Sequence, residues 1–209
     1  MSTNLEHIKV LALCGSVSED SSTRHALEIA LDGARRAGAQ VELADLRDYQ
    51  LPFSGTATES FPDVARLRAQ CHAAHAILWG TPEYHGSYSG VLKNALDLMG
   101  FEEFQGKMIG LVGVAGGSIG AINALNHLRA VGRQLHAWVL PQQVSIGQSH
   151  LAFDESGQLR DKETEKRLLE MGREVARFAC LHSTTAADFL KRWEQATENS
   201  GAGFAGNGE

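Results

Sequence analysis

Long apolar runs, paired cysteines and a basic excess are all missing from this 209-residue chain. No stretch approaches the roughly 18 apolar residues that a membrane-spanning helix needs. The three cysteines, Cys14, Cys71 and Cys180, are odd in number, scattered and without a C-x-x-C pair. That excludes a disulfide framework and a cysteine zinc site, and it fits a reducing compartment. Nineteen Lys and Arg against 25 Asp and Glu give a formal net charge of −6, which excludes a broadly basic nucleic-acid surface. It does not exclude a local anion pocket built from backbone amides. The start, Met1 to Lys9, is polar and lacks the apolar core of a secretory signal, so a cytoplasmic location is expected. No internal repeat is visible.

Five short apolar runs read as strands: Ile8–Cys14, Val41–Asp45, Ala76–Gly80, Met108–Ala115 and His136–Leu140. Helical stripes lie between them. Leu27, Ala30, Leu31 and Ala34 share one face; so do Val64, Leu67, Cys71 and Ala74, and later Leu168, Gly172, Val175, Ala176 and Ala179. Alternating strands and helices predict βαβ units and a parallel sheet. The first and fourth runs are near-continuously apolar, as in strands buried on both faces, whereas V-E-L-A-D alternates and suggests an edge. A doubly wound five-stranded parallel sheet with its second strand at the edge has the flavodoxin-like order 2-1-3-4-5, an order taken by analogy. Residues 1–182 are read as this domain, and 183–209 as a helical extension ending in a mobile Gly-rich tail from Asn199. Asp48–Phe61 is expected to be a long loop, and Gln142–Lys162 to be irregular.

In such sheets ligands bind outside the carboxyl ends of the strands. The loop after strand one offers Ser16, Ser18, Ser21, Ser22 and Thr23 just before a helix. One helix cap needs one hydroxyl. The surplus, with the free N–H groups and positive dipole end of the helix, suits a phosphate without any lysine. Glu19 and Asp20 would repel that phosphate and are expected to face solvent. After strand one there is no G-x-G-x-x-G, there is no P-loop G-x-x-x-x-G-K-[ST], and no acidic cluster closes strand one. The loop after strand three, T-P-E-Y-H-G-S-Y-S-G-V-L-K-N-A-L-D from Thr81 to Asp97, has Pro82 to fix a turn and Tyr84 and Tyr88 as flat surfaces. The loop after strand four, A-G-G-S-I-G, lets backbone approach a ligand at Gly116 and Gly117.

Together these loops resemble the NADPH-dependent FMN reductase family. The stretch Thr81–Asp97 is similar to that family's P-E-Y-N-x-S-x-x-G-x-L-K-N-x-x-D signature. Gly15, Ser16, Ser18, Ser21 and Thr23 match its G-S-x-S-x-x-S-x-T form, and A-G-G-x-x-G its third flavin loop. The resemblance spans about residues 8–180. It implies non-covalent FMN, with Ser16, Ser18, Ser21, Ser22 and Thr23 at the phosphate. Pro82, Glu83, Tyr84, His85, Gly86 and Ser87 would line the ribityl chain and one ring edge; Gly116, Gly117 and Ser118 would approach the pyrimidine end. It further implies NADPH or NADH as co-substrate, a small-molecule electron acceptor (a flavin, quinone, azo compound or chromate), ping-pong kinetics and no catalytic side chain. It also implies a homodimer or homotetramer with the helix after P-E-Y near the interface. Ser18 stands where many members have Arg, a pattern similar to flavin reductases that serve flavin-dependent monooxygenases. His85 stands where Asn is usual.

Two other readings compete. A flavodoxin-type electron carrier would bind FMN without oxidising NAD(P)H quickly. A serine hydrolase would use Gly116-Gly117-Ser118-Ile119-Gly120 as a nucleophile elbow, with Asp154 or Asp161 and then His182. Among lesser features, Arg24, Arg47 and Arg129 are candidates for a 2′-phosphate. His72 and His75 read as surface residues rather than metal ligands, so no metal is expected. Lys93 and Asp97 are spaced for a helical ion pair. Cys14 reads as packing, and Arg160–Lys166 as a solvated helix face.

Overall fold

The computed structural model describes residues 5–199, with side chains through Ser183. In chain order the elements are β1 (Lys9–Cys14), α1 (Ser22–Arg36), β2 (Gln40–Asp45), α2 (Pro62–Ala73), β3 (Ala76–Tyr84), β4 (Ser87–Tyr88) and α3 (Gly90–Asp97). Then follow α4 (Phe101–Phe104), β5 (Met108–Val114), α5 (Ile122–Gln134), β6 (Trp138–Ile146), α6 (Ser149–Ala152) and α7 (Lys162–Asn199). The sheet runs β2-β1-β3-β5-β6, all parallel, with the two-residue β4 antiparallel to β3. Setting the small hairpin strand aside, this is the expected 2-1-3-4-5 order.

Alternation along the strands builds two apolar layers. Val10, Ala12, Cys14, Ala76 and Leu78 face α1 and α7. Leu11, Leu13, Ile77 and Trp79 face α2, α3 and α5, and Trp79 stacks edge-on to Phe104 at 5.6 Å. Burial on both faces is why β3 and β5 are continuous apolar runs.

Three expected boundaries move. The third strand runs beyond Gly80 to Tyr84, because the chain turns only at His85-Gly86. The last strand is Trp138–Ile146 rather than His136–Leu140. It is an edge strand, so Pro141, Gln142 and Gln143 are polar or ring-bearing residues on a wet border, and the apolar run stops early. The stretch expected to be irregular, 142–162, therefore holds the end of β6, the one-turn α6 and the first residue of α7. The C-terminal helix is one element from Lys162 to Asn199, so Asn199, the expected start of the tail, is helical, and 200–209 lie outside the described residues.

Helices α1 and α7 touch backbone to backbone. A Cβ on Gly33 would run into the Leu169 carbonyl, and one on Gly172 into the Ala30 carbonyl. Alanine at a helix interior normally gains about 1 kcal/mol over glycine. Overpacking costs about 1–3 kcal/mol and usually more against backbone, so sterics should win. Gly172→Ala is expected to lower the urea midpoint. An unchanged or raised midpoint would show that the two helices are not held at this spacing.

Candidate functional site

The carboxyl end of β1 meets β3 at Gly80, short of the end of β3, in a crowded junction. Gly15 donates its N–H to Gly80 O at 2.8 Å, and its own carbonyl accepts the Ser89 hydroxyl at 2.6 Å. A Cβ on Gly15 would lie 2.7 Å from Leu92 Cβ and 2.9 Å from Gly80 O, so only glycine passes. Ser89 also caps α3, its Oγ accepting the Leu92 N–H at 3.1 Å, while its N–H donates to buried Thr81 Oγ1 at 2.9 Å. The first and third loops are thus fixed to one another. Ser89 did not stand out in the sequence, although a Ser before a helical stripe is the ordinary sign of an N-cap.

In the first loop Ser21 is the helix cap, its Oγ accepting the Arg24 N–H at 3.2 Å. Ser16 is buried and accepts the Ser18 N–H at 3.4 Å. Thr23 is buried, Ser22 half-buried and Ser18 exposed. Glu19 and Asp20 are exposed, as expected. The first turn of α1 leaves backbone N–H groups outside the helix's own ladder. Behind the loop lies Arg47, which joins Asp45 through Nε and Nη2, the latter at 2.6 Å, and reaches Ser18 O and Glu19 O through Nη1 at 3.0 and 3.1 Å.

The third loop is a β-hairpin. Tyr84 pairs with Ser87, so His85 and Gly86 alone make the turn, with φ of 51° and 79°. Two successive positive φ values define a type I′ turn, whose first position favours Asn and second Gly. Histidine, like asparagine, is enriched among the few non-glycine residues that adopt this region. Pro82 sits in β3 rather than in a turn; β1 has already ended at its pairing with Gly80, so no ladder on that side needs its N–H. Glu83 does not turn its carboxylate outward: Oε2 accepts the Ala124 N–H at 2.9 Å in the first turn of α5. Tyr84 is exposed, and Ser87 hydrogen-bonds His127 at 3.0 Å.

The fourth-strand loop is bolted to the segment after β6. Ala115 N–H donates to Ile146 O at 2.8 Å, Gln148 N–H to Gly117 O at 3.0 Å, and Ser149 N–H to Ala115 O at 3.1 Å. Gly116, Gly117, Ser118 and Ile119 remain exposed. No hydrolase triad assembles around Ser118. His182 packs on Trp138, at the amino end of β6, a strand of 9 residues away from the carboxyl edge. The Asp154 and Asp161 carboxylates accept bonds from their own turns, at Ser156 and Thr164. Burial pushes the Cys14 thiol up and Cys71 up to about 12, so neither is a thiolate near neutrality.

The arginines proposed for a 2′-phosphate are engaged elsewhere. Arg129 donates to Gln143 and to the Leu140 and Pro141 carbonyls, Arg47 holds the first loop, and Arg24 pairs with Glu28 at 3.4 Å. The His75 ring accepts the Lys9 N–H at 3.1 Å, and among the described residues no group of three or more His, Cys, Asp or Glu is placed to hold a metal. Lys93 and Asp97 form the expected ion pair at 2.7 Å.

A doubly wound sheet with a hydroxyl-rich strand-to-helix loop and an aromatic hairpin at its carboxyl end is a flavodoxin-like architecture. Comparison with known proteins agrees. Residues 8–151 match the NADPH-dependent FMN reductase family, to which this chain belongs. It is an NAD(P)H-dependent oxidoreductase that uses FMN, with NADPH as co-substrate. An FMN-dependent NADPH-azoreductase of Staphylococcus aureus is 35% identical over 169 residues, covering 77% of this chain and 89% of the relative. A solved flavoenzyme NAD(P)H:acceptor oxidoreductase from Paracoccus denitrificans superposes with a TM-score of 0.69 at 25% identity, covering 84% of this chain and 98% of its own. A flavodoxin from the domain Archaea, at 14% identity and a TM-score of 0.59 over 82% of this chain and 99% of its own, shares the fold.

The hairpin geometry yields a test. A β-branched residue at His85 has to adopt positive φ, at a cost of about 1–2 kcal/mol. His85→Val is expected to weaken FMN binding about tenfold, and His85→Asn to preserve it. Equal affinity in all three proteins would mean that the hairpin does not shape the flavin site.

Proposed function

We propose that FMN lies along the carboxyl edge of the sheet, across the three loops. The rim around them carries the reading. Val17 is 55% exposed, Tyr84 53% and Ile119 84%, one large apolar side chain from each loop. Large apolar groups so exposed and gathered at one edge mark a surface meant to be covered. A flat heteroaromatic ring with a charged tail fits them: apolar rims for the ring, backbone amides and hydroxyls for the phosphate.

Ser16, Ser18, Ser21, Ser22 and Thr23, with the amides of the first turn of α1, hold the phosphate. Pro82, Tyr84, His85, Gly86 and Ser87 flank the ribityl chain and one ring edge. Glu83 takes part through its backbone, since its carboxylate caps α5. Gly116, Gly117 and Ser118 present backbone to the pyrimidine end, where a Cβ on either glycine would meet nothing within 4 Å and the approach is open. When bound there, FMN would supply the redox chemistry that carries two electrons from NADPH to an acceptor. The chain orients it and leaves one ring face open to both partners in turn. No side chain is assigned as acid or base.

The acceptor is a small molecule. The azoreductase relative favours an azo compound, and an open rim also admits quinones and free flavin. None of the described helices is long and apolar enough to cross a membrane, and the reading places the enzyme in the cytoplasm. A second copy is assigned to the groove between α3 and α5, a cavity of about 540 Å³ lined by Tyr88, Leu96, Met99, His127, Val131 and Leu135. This groove continues from the hairpin at Tyr88 and supports reading the enzyme as a homo-oligomer.

The test is spectroscopic. Protein incubated with FMN and desalted is expected to stay yellow, to bleach with NADPH without oxygen, and to recover colour with a soluble azo dye. Initial rates should give parallel double-reciprocal lines. Retained colour that neither NADPH nor NADH bleaches would instead make the protein an electron carrier.

A further inference from the structure

We infer that Arg47 is a positioning residue for the FMN phosphate: it aims the backbone amides of the first loop without itself meeting the ligand. The inference rests on the assignment of that loop to the phosphate. Asp45 is the last residue of β2 and pairs in register with Cys14, the last residue of β1, so its carboxylate starts beside the loop. It is 7% exposed and grips Arg47 through both oxygens, at 3.1 Å from Nε and 2.6 Å from Nη2. A bidentate grip of this kind fixes the plane of the guanidinium. That plane presents Nη1 to two carbonyls in succession, Ser18 O and Glu19 O.

A trans peptide is planar, with its C=O and N–H on opposite sides. Holding the Ser18 carbonyl on the Arg47 side therefore turns the Glu19 N–H to the other side. Holding the Glu19 carbonyl does the same for the Asp20 N–H. Ser89 acts likewise from the third loop: by donating to Gly15 O it turns the Ser16 N–H away. Three of the loop's carbonyls, those of Gly15, Ser18 and Glu19, are thereby tied back to the protein, and the N–H groups that follow them are left for an anion, as in a concavity made of backbone. This explains how a loop containing Glu19 and Asp20, and no basic residue before Arg24, serves a phosphate. It also explains why lysine would not do. A single ammonium can pair with Asp45 or reach the carbonyls, but it lacks the rigid fork that does both.

The experiment compares the affinity of the apoprotein for FMN and for riboflavin, which lacks the phosphate, by quenching of flavin fluorescence. Wild type is expected to bind FMN more tightly than riboflavin. In Arg47→Met, FMN binding falls by about tenfold to a hundredfold, as expected for lost charge-assisted hydrogen bonds, and riboflavin binding holds within about twofold. Arg47→Lys keeps the positive charge and the ion pair with Asp45, so it folds even if Arg47→Met does not, and it is expected to lose the same selectivity. Thermal melting of each apoprotein checks the fold. Full selectivity for FMN in either variant would overturn the role of Arg47. So would an unchanged FMN affinity with a raised KM for NADPH, which would place the guanidinium on the nicotinamide nucleotide. No preference for FMN in wild type would overturn the phosphate assignment itself.

Discussion

Gly15 is the point through which the site is threaded. Strand β1 ends beside Gly80, inside β3, and its chain leaves the sheet needing partners for backbone groups that no further strand can pair. Gly15 supplies one solution by bonding Gly80, and Ser89 supplies the other by donating to Gly15 O while capping α3. The three atoms of that junction lie so close that any side chain on Gly15 would push Leu92 and Gly80 apart. The loop after β1 and the segment that follows the hairpin of β3 share this contact. A ligand that spans both finds its two ends at a preset separation, which lowers the ordering cost of binding.

The centre of the fold was legible and its borders were not, for one physical reason. Central strands are buried on both faces, so β1 and β5 announce themselves as unbroken apolar runs. Edge strands are wet on one side, and their pattern thins. V-E-L-A-D at β2 kept a clear alternation and was placed at an edge correctly. P-Q-Q-V-S-I at the end of β6 alternates too, but it opens with proline and two glutamines, and an apolar-run criterion stops at Leu140. The hairpin failed to register for a different reason. His85-Gly86 carries a type I′ turn as Asn-Gly would, yet histidine reads as a chemical group before it reads as a turn residue.

At the site, the residue types were legible and their division of labour was not. The run of hydroxyls after β1 showed that more donors were present than a helix cap needs. It could not show that Ser21 is the cap, that Ser16 folds back to Ser18, or that the Glu83 carboxylate accepts the Ala124 N–H at the start of α5. A serine has the same letter whichever way its hydroxyl points. The partners that decide the matter are remote in sequence: Ser89 lies 74 residues from Gly15, and Arg47 lies 29 from Ser18. Local pattern has no access to such pairings; only the register of β1 with β2 and β3 brings them together.

The electrostatics of the first loop follow from direction rather than from net charge. A chain with a net charge of −6, and two carboxylates inside the loop, is an unpromising host for a phosphate dianion. Yet Glu19 and Asp20 are exposed, and water screens them. At a separation of ~8 Å in a dielectric near 80, each carboxylate costs a dianion only about 1 kcal/mol, and salt reduces that further. A hydrogen bond from a backbone amide to a charged group contributes about 1.5–3 kcal/mol, and it acts at contact. Three amides aimed together therefore outweigh two solvated carboxylates, provided that their carbonyls are held out of the way. On the proposed assignment of this loop to the phosphate, that condition gives Arg47 and Ser89 their weight, because they hold the Ser18, Glu19 and Gly15 carbonyls back.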